Sequence, residues 1–203
     1  MGRSYFVGGV SGVGKSTLLE AVSNKQPDMR IVHGASMLLR ALGLAPNDYE
    51  ALRNTNENQK NSAYARIVMH EAVDNVGQPG VVVFDSHYLN LVRGGVHRTV
   101  GTLDESRMFA LDGLILVTTT NPATIYNRVA RDTSRDRALF PVGATEATCN
   151  AIMHNYCDAT QAEFERLTHV LAMPSLVIRN EETGFDQAVA KFMAFDATIA
   201  RPL

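Results

Sequence analysis

A single α/β domain built on a parallel sheet is the fold this sequence predicts, and three observations carry it. Short apolar runs of strand length alternate with helix-length segments from one end of the chain to the other. Two of those runs, Val81-Val82-Val83-Phe84 and Leu114-Ile115-Leu116-Val117, contain no polar residue, which suits strands covered on both faces. The third is a strand at 4–8 that passes through a glycine-rich turn directly into a helix start.

Taken in order, the first unit is that strand, the turn, and a helix near 15–24 that Gln26-Pro27-Asp28 ends. Met29-Arg30-Ile31-Val32-His33 reads as a second, short strand. Gly34-Ala35-Ser36 opens a helix carrying Met37, Leu38, Ala41 and Leu42, stopped around Gly43 and Pro46. The stretch 47–58 is polar and reads as turns. From 59 to 76, Ala63, Ile67, Ala72, Val73 and Val76 recur at near-helical spacing and predict a long helix. Gly77-Gln78-Pro79-Gly80 breaks it, and the third strand then closes on Asp85. The fourth strand is 114–118. Asn121 as cap and Pro122 at the first helical position start a helix through Ile125, Val129 and Ala130. A polar, arginine-dense segment leads to about Pro141, followed by a long helix at 145–169, a strand at 175–178 and a helix at 185–197. Five strands alternating with helices imply right-handed crossovers in one domain, 1–203, without repeats.

Composition narrows the function. With 203 residues the chain is long enough for one full core, and 45% hydrophobic with 20% charged residues is ordinary for a soluble protein. A net charge of -2 gives no basic footprint for nucleic acid, so no nucleic-acid partner is expected. No apolar run approaches the roughly 20 residues that span a bilayer. The early first strand leaves no room for a signal peptide, and Phe6 stands where a myristoylation motif wants Ser or Thr. Cys149 and Cys157 sit eight apart on one expected helix, too far for a disulfide, so reduced thiols in a cytoplasmic setting are expected. The histidines show no paired metal spacing, and no zinc site is expected. Oligomeric state is not legible.

The chemistry centres on Gly8-Gly9-Val10-Ser11-Gly12-Val13-Gly14-Lys15-Ser16-Thr17. Gly9, Gly14, Lys15 and Ser16 fit the pattern Gly, any four residues, Gly-Lys-Ser/Thr. Its glycines let backbone N–H groups converge on a polyphosphate at the positive end of a helix dipole. Lys15 would reach the β- and γ-phosphates, and the Ser16 hydroxyl would ligate magnesium. A phosphate cradle needs a second acid for the metal, and Asp85 at the end of a buried strand is the candidate. Capping a turn is the alternative role for Asp85. A third feature is Arg128-Val129-Ala130-Arg131-Asp132-Thr133-Ser134-Arg135-Asp136-Arg137. Four arginines within ten residues suit a transition state with negative charge spread over phosphoryl oxygens. The same run also fits a solvated surface laced with Arg–Asp pairs. A guanine-reading motif is missing: Asn24-Lys25-Gln26-Pro27 lacks the acid, and Thr119-Thr120-Asn121-Pro122 does not fit after its strand.

On these residues the chain resembles a P-loop nucleoside-monophosphate kinase, and most of all the archaeal-type adenylate kinases. The resemblance spans nearly the whole length. It rests on the glycine-rich turn, on Gly34-Ala35-Ser36-Met37 and on Asp85-Ser86-His87 after the apolar run. It also includes the arginine segment, the long helix after it, and Val177-Ile178-Arg179-Asn180-Glu181-Glu182-Thr183-Gly184. It implies a three-layer α/β/α fold with five parallel strands in the order 2-3-1-4-5. A helical excursion at 35–77 would bind the acceptor monophosphate, and a short lid at 131–141 would close over ATP. By position, Gly12, Val13, Gly14, Lys15, Ser16 and Thr17 would hold the donor phosphates, with Ser16 and Asp85 on magnesium. Arg131, Arg135 and Arg137 would be the lid arginines, and Asn180 would lie beside the donor base. Ser36 and Arg53 fall in the acceptor pocket, with Arg40 an alternative to Arg53. His87 either orients the acceptor or packs as a structural residue.

The implied activity is ATP-dependent phosphoryl transfer to a nucleoside monophosphate, AMP first. The segment 88–100, with Arg93, His97 and Arg98, departs from the family where it should border the acceptor. Kinases of shikimate, gluconate or deoxynucleosides share the same core and lid logic, so another small-molecule acceptor remains an alternative. A non-transferring ATP-binding switch acting through a partner is the reading from a different class.

Overall fold

The computed structural model describes residues 2–75, 78–92, 96–99, 111–131, 139–181 and 184–199. Strand β1 (Arg3–Gly8) leads into helix α1 (Lys15–Lys25), then β2 (Met29–His33) and α2 (Gly34–Ala41). Helices α3 (Tyr49–Asn54) and α4 (Glu57–Asn75) complete the excursion before β3 (Val81–Asp85). A hairpin of β4 (Leu89–Val92) and β5 (Val96–Thr99) follows. The chain ends with β6 (Gly113–Thr118), α5 (Pro122–Arg131), α6 (Glu146–Leu171), β7 (Ser175–Arg179) and α7 (Phe185–Thr198).

Five strands form one parallel sheet in the order β2-β3-β1-β6-β7, which counted over the sheet alone is 2-3-1-4-5. Alternate residues of each strand point to opposite faces, and each face has its own core. Tyr5, Val7, Val83 and Ile115 meet Leu18 and Val22 of α1, Ile125 of α5 and Phe192 of α7. Phe6, Val82, Phe84 and Leu116 meet Tyr64 and Val68 of α4 and Phe164 and Leu167 of α6. The unbroken apolar runs in β3 and β6 are therefore what two covered faces require: Val81 to Phe84 and Leu114 to Val117 are at most 1% exposed.

Two expectations need correction. The polar stretch 47–58 is not all turn. Asp48 accepts a hydrogen bond from Ala51 N at 2.9 Å and caps α3, so residues that favour turns serve here as a helix start. The segment after His87 contains an antiparallel pair, in the register Leu89↔Thr99 to Val92↔Val96, that was not foreseen. Its signal was alternation, since Leu89 and Leu91 are buried while Asn90 between them is exposed. The Tyr156 hydroxyl of α6 donates to Leu89 O at 2.8 Å and fastens the hairpin to the body. Cys149 and Cys157 are free and buried, two turns apart on α6 as expected, and burial pushes the Cys157 thiol up to about 12. No helix among the described residues is long and apolar enough to cross a membrane.

Candidate phosphate and metal site

The site forms where β1, β2 and β3 end, because parallel strands deliver their carboxyl ends to one edge of the sheet. Register places Asp85 of β3 beside Val7 of β1 on one side and His33 of β2 on the other. β1 runs out at Gly8, and the turn crosses this edge to reach α1 at Lys15. Gly14 caps α1 in the left-handed conformation, φ 91°, which a residue with a Cβ adopts at a cost. A Cβ there would also stand 2.5 Å from the Asn180 amide nitrogen, so any other residue would displace the turn or its anchor.

Three groups hold the turn. Val10 and Val13 are 3% and 0% exposed and root it in the core. The Asn180 amide donates to Val13 O at 2.8 Å, while Asn180 N donates to Thr118 O at 2.8 Å. The His87 ring nitrogen Nδ1 meets Gly9 O at 2.6 Å. Asn180 and His87 thus shape the phosphate turn; their expected places beside the donor base and the acceptor are not what these bonds serve. Beneath the turn, Tyr88 is buried against Phe6 and Phe164, and its ring fills the space where a Cβ on Gly8 would stand, 2.3 Å away.

Asp85 is the electrostatic centre. Ser16 Oγ donates to Asp85 Oδ2 at 3.0 Å, Lys15 Nζ lies 3.8 Å from Oδ1, and His33 Nδ1 lies 3.4 Å from Oδ2. Burial raises the Asp85 carboxyl, but the hydrogen bond from His33, the charges of Lys15 and His87 and the Ser16 hydroxyl outweigh it and bring it down to about 2. The carboxylate is therefore ionised and available to a cation at neutral pH. Lys15 is 7% exposed, a buried ammonium that the carboxylate neutralises. Capping, the alternative role for Asp85, is not what its carboxylate does.

This arrangement fits magnesium and a triphosphate. Among the described residues no group of three or more His, Cys, Asp or Glu side chains is built to hold a metal alone. That is the expected condition for magnesium, which keeps waters and takes one or two protein oxygens plus phosphate oxygens. Ser16 and Asp85 supply those protein oxygens, and Ser16 and Thr17 are exposed on the first turn of α1.

The remaining residues fall into two groups. Helix α2 opens against the end of β3: a Cβ on Gly34 would lie 3.3 Å from both Asp85 O and Ser86 Oγ. Ser36 stands exposed in the first turn of that helix, at the edge of the same site. Arg53 belongs to α3, which packs on α2, and its side chain lies outside the described residues. The excursion holds a cavity of about 590 Å³ lined by Leu42, Thr55, Asn58, Ser62 and Arg66, among others. Arg131 is exposed at the end of α5, and Arg135 and Arg137 lie outside the described residues. Arg128, counted in the arginine cluster but given no role, is the arginine nearest the turn. Its Nη1 lies 4.0 Å from where a Gly14 Cβ would stand. The signal was its spacing, one helical turn before Arg131 on the same face of α5.

The fold is that of the P-loop kinases: a 2-3-1-4-5 parallel sheet between helices, with the phosphate turn after the first strand. A crystal structure of shikimate kinase from Bacteroides thetaiotaomicron is similar over nearly the whole molecule, with a TM-score of 0.61, covering 96% of this chain and 98% of that one at 11% sequence identity. No protein-family model and no curated protein matches the chain.

Proposed function

We propose that this protein is a magnesium-dependent kinase that moves the γ-phosphoryl group of ATP to a nucleoside monophosphate, with AMP the leading acceptor. The observation that carries the donor half is the meeting of Lys15, Ser16 and Asp85 beneath the glycine turn, at 3.8 and 3.0 Å. Turn N–H groups would bind the donor phosphates, and Lys15 would exchange part of its pairing with Asp85 for phosphate oxygens. Magnesium, held by Ser16 and Asp85, supplies charge neutralisation on those oxygens. Arg128 and the lid arginines Arg131, Arg135 and Arg137 add positive charge around the transferred group.

The acceptor half is supported by the helical excursion, with Ser36 at the edge of the donor site and the polar-lined cavity between α2, α3 and α4. The motif resemblance favours AMP. The likeness in fold to a shikimate kinase supports a second reading, a small-molecule alcohol as acceptor. An ADP-release screen over AMP, CMP, UMP, dTMP and shikimate separates them. AMP-dependent ADP release is expected; release with an alcohol and none with AMP would transfer the proposal to the second reading. Lys15→Ala is expected to lower turnover by at least about a thousandfold, since several kcal/mol of transition-state charge stabilisation is removed.

A further inference from the structure

His33 lies outside the phosphate motif, yet it occupies the edge of the metal site. Strand register puts it directly opposite Asp85 on the neighbouring parallel strand, so its place is fixed by the sheet and not by a loop. It also stands at the cap position of α2, where a side chain ordinarily turns back to bond the helix N–H groups. Here it makes no capping bond. Its Nδ1 turns instead to Asp85 Oδ2 at 3.4 Å, the oxygen that Ser16 Oγ contacts at 3.0 Å. Neighbouring ligands on one octahedral ion with bonds near 2.1 Å stand roughly 3 Å apart. Ser16 Oγ, Asp85 Oδ2 and His33 Nδ1 are thus spaced as adjacent donors of a single cation. The His33 side chain is 52% exposed, which leaves Nε2 free to carry the ring proton in solvent when Nδ1 is a ligand.

We propose that His33 is a nitrogen ligand of the divalent cation, giving this site a mixed nitrogen and oxygen donor set. The inference rests on the donor site described above. Its consequence is selectivity. Imidazole binds first-row transition ions more strongly than it binds magnesium, so Mn²⁺ and Co²⁺ should be favoured over Mg²⁺ beyond what oxygen ligands allow.

Pulsed electron paramagnetic resonance on the full chain with Mn²⁺ and a non-hydrolysable ATP analogue tests this directly. Nitrogen-14 modulation from a bound imidazole is expected in the wild type, lost in His33→Asn and retained in His87→Asn. In competition, about tenfold less Mg²⁺ should displace Mn²⁺ from His33→Asn than from the wild type. Far-ultraviolet circular dichroism of the variant checks that it is folded, and the wild-type spectrum stands without it. Mn²⁺ bound with nucleotide but without nitrogen modulation, or modulation surviving His33→Asn, would overturn the role of His33 alone. Failure of Mn²⁺ and nucleotide to bind together would overturn the donor site and this inference with it.

Discussion

At Asp85 a carboxylate only 10% exposed gathers Ser16, Lys15 and His33 within 4 Å. These neighbours tie the acid's protonation to the stability of the whole chain. Its folded pKa, about 2, lies below the ordinary 3.8, so its contribution is fully present above pH 3.8 and is lost as pH falls through 2. The contribution is about 2 kcal/mol, an order-of-magnitude figure. Urea midpoints measured from pH 5 down to pH 2 should therefore fall more steeply for the wild type than for Asp85→Asn; parallel curves would show that the carboxylate is not held this way. Asp85 was legible in the sequence because an acid ending an apolar run has a local signature. His33 was not. Its significance comes from being level with Asp85 on another strand, a relation that appears only when the two strands pair.

The phosphate turn is an element whose shape is set by residues far from it in sequence. Asn180 reaches it across 167 positions and Tyr88 supports it from below. Asn180→Ala would leave the buried Val13 carbonyl without its amide donor, at a cost of about 1–3 kcal/mol. We expect weaker ATP binding, by about tenfold, with the thermal midpoint falling only a few degrees; unchanged ATP affinity by calorimetry would remove Asn180 from the turn's support. The turn itself was readable because glycine, lysine and serine at fixed spacing are a local requirement. So were β3, β6 and α6, whose apolar content and length reflect burial. Helix α3 was hidden because Asn and Asp cap helices as readily as they make turns, and 47–58 holds five of them. The β4–β5 hairpin was hidden because four-residue strands are too short for alternation to stand out.

Across the whole molecule, one buried carboxylate joins the beginning of the fold to its end. Asp196 of α7 accepts from Arg3 at 2.5 and 2.7 Å, from the Tyr5 hydroxyl at 2.7 Å and from the Gln26 amide at 2.7 Å. Removing it would strand the Arg3 guanidinium and two neutral donors, and Asp196→Ala should cost about 3–5 kcal/mol in chemical denaturation. A loss under 1 kcal/mol would mean that water replaces the carboxylate without penalty. The five-stranded architecture was legible from the alternation of elements, but this tie was not, because nothing local marks an aspartate on a C-terminal helix as the partner of the first strand. The strand order has its own consequence in time. The first strand synthesised is the central one, bordered by β3 and β6, and its second neighbour is not complete until Thr118 has been made. During translation β1 therefore waits with an open edge while its partners emerge, and folding is governed by closure of long loops. Slow, late folding and a need for shielding on the ribosome follow from where that strand lies.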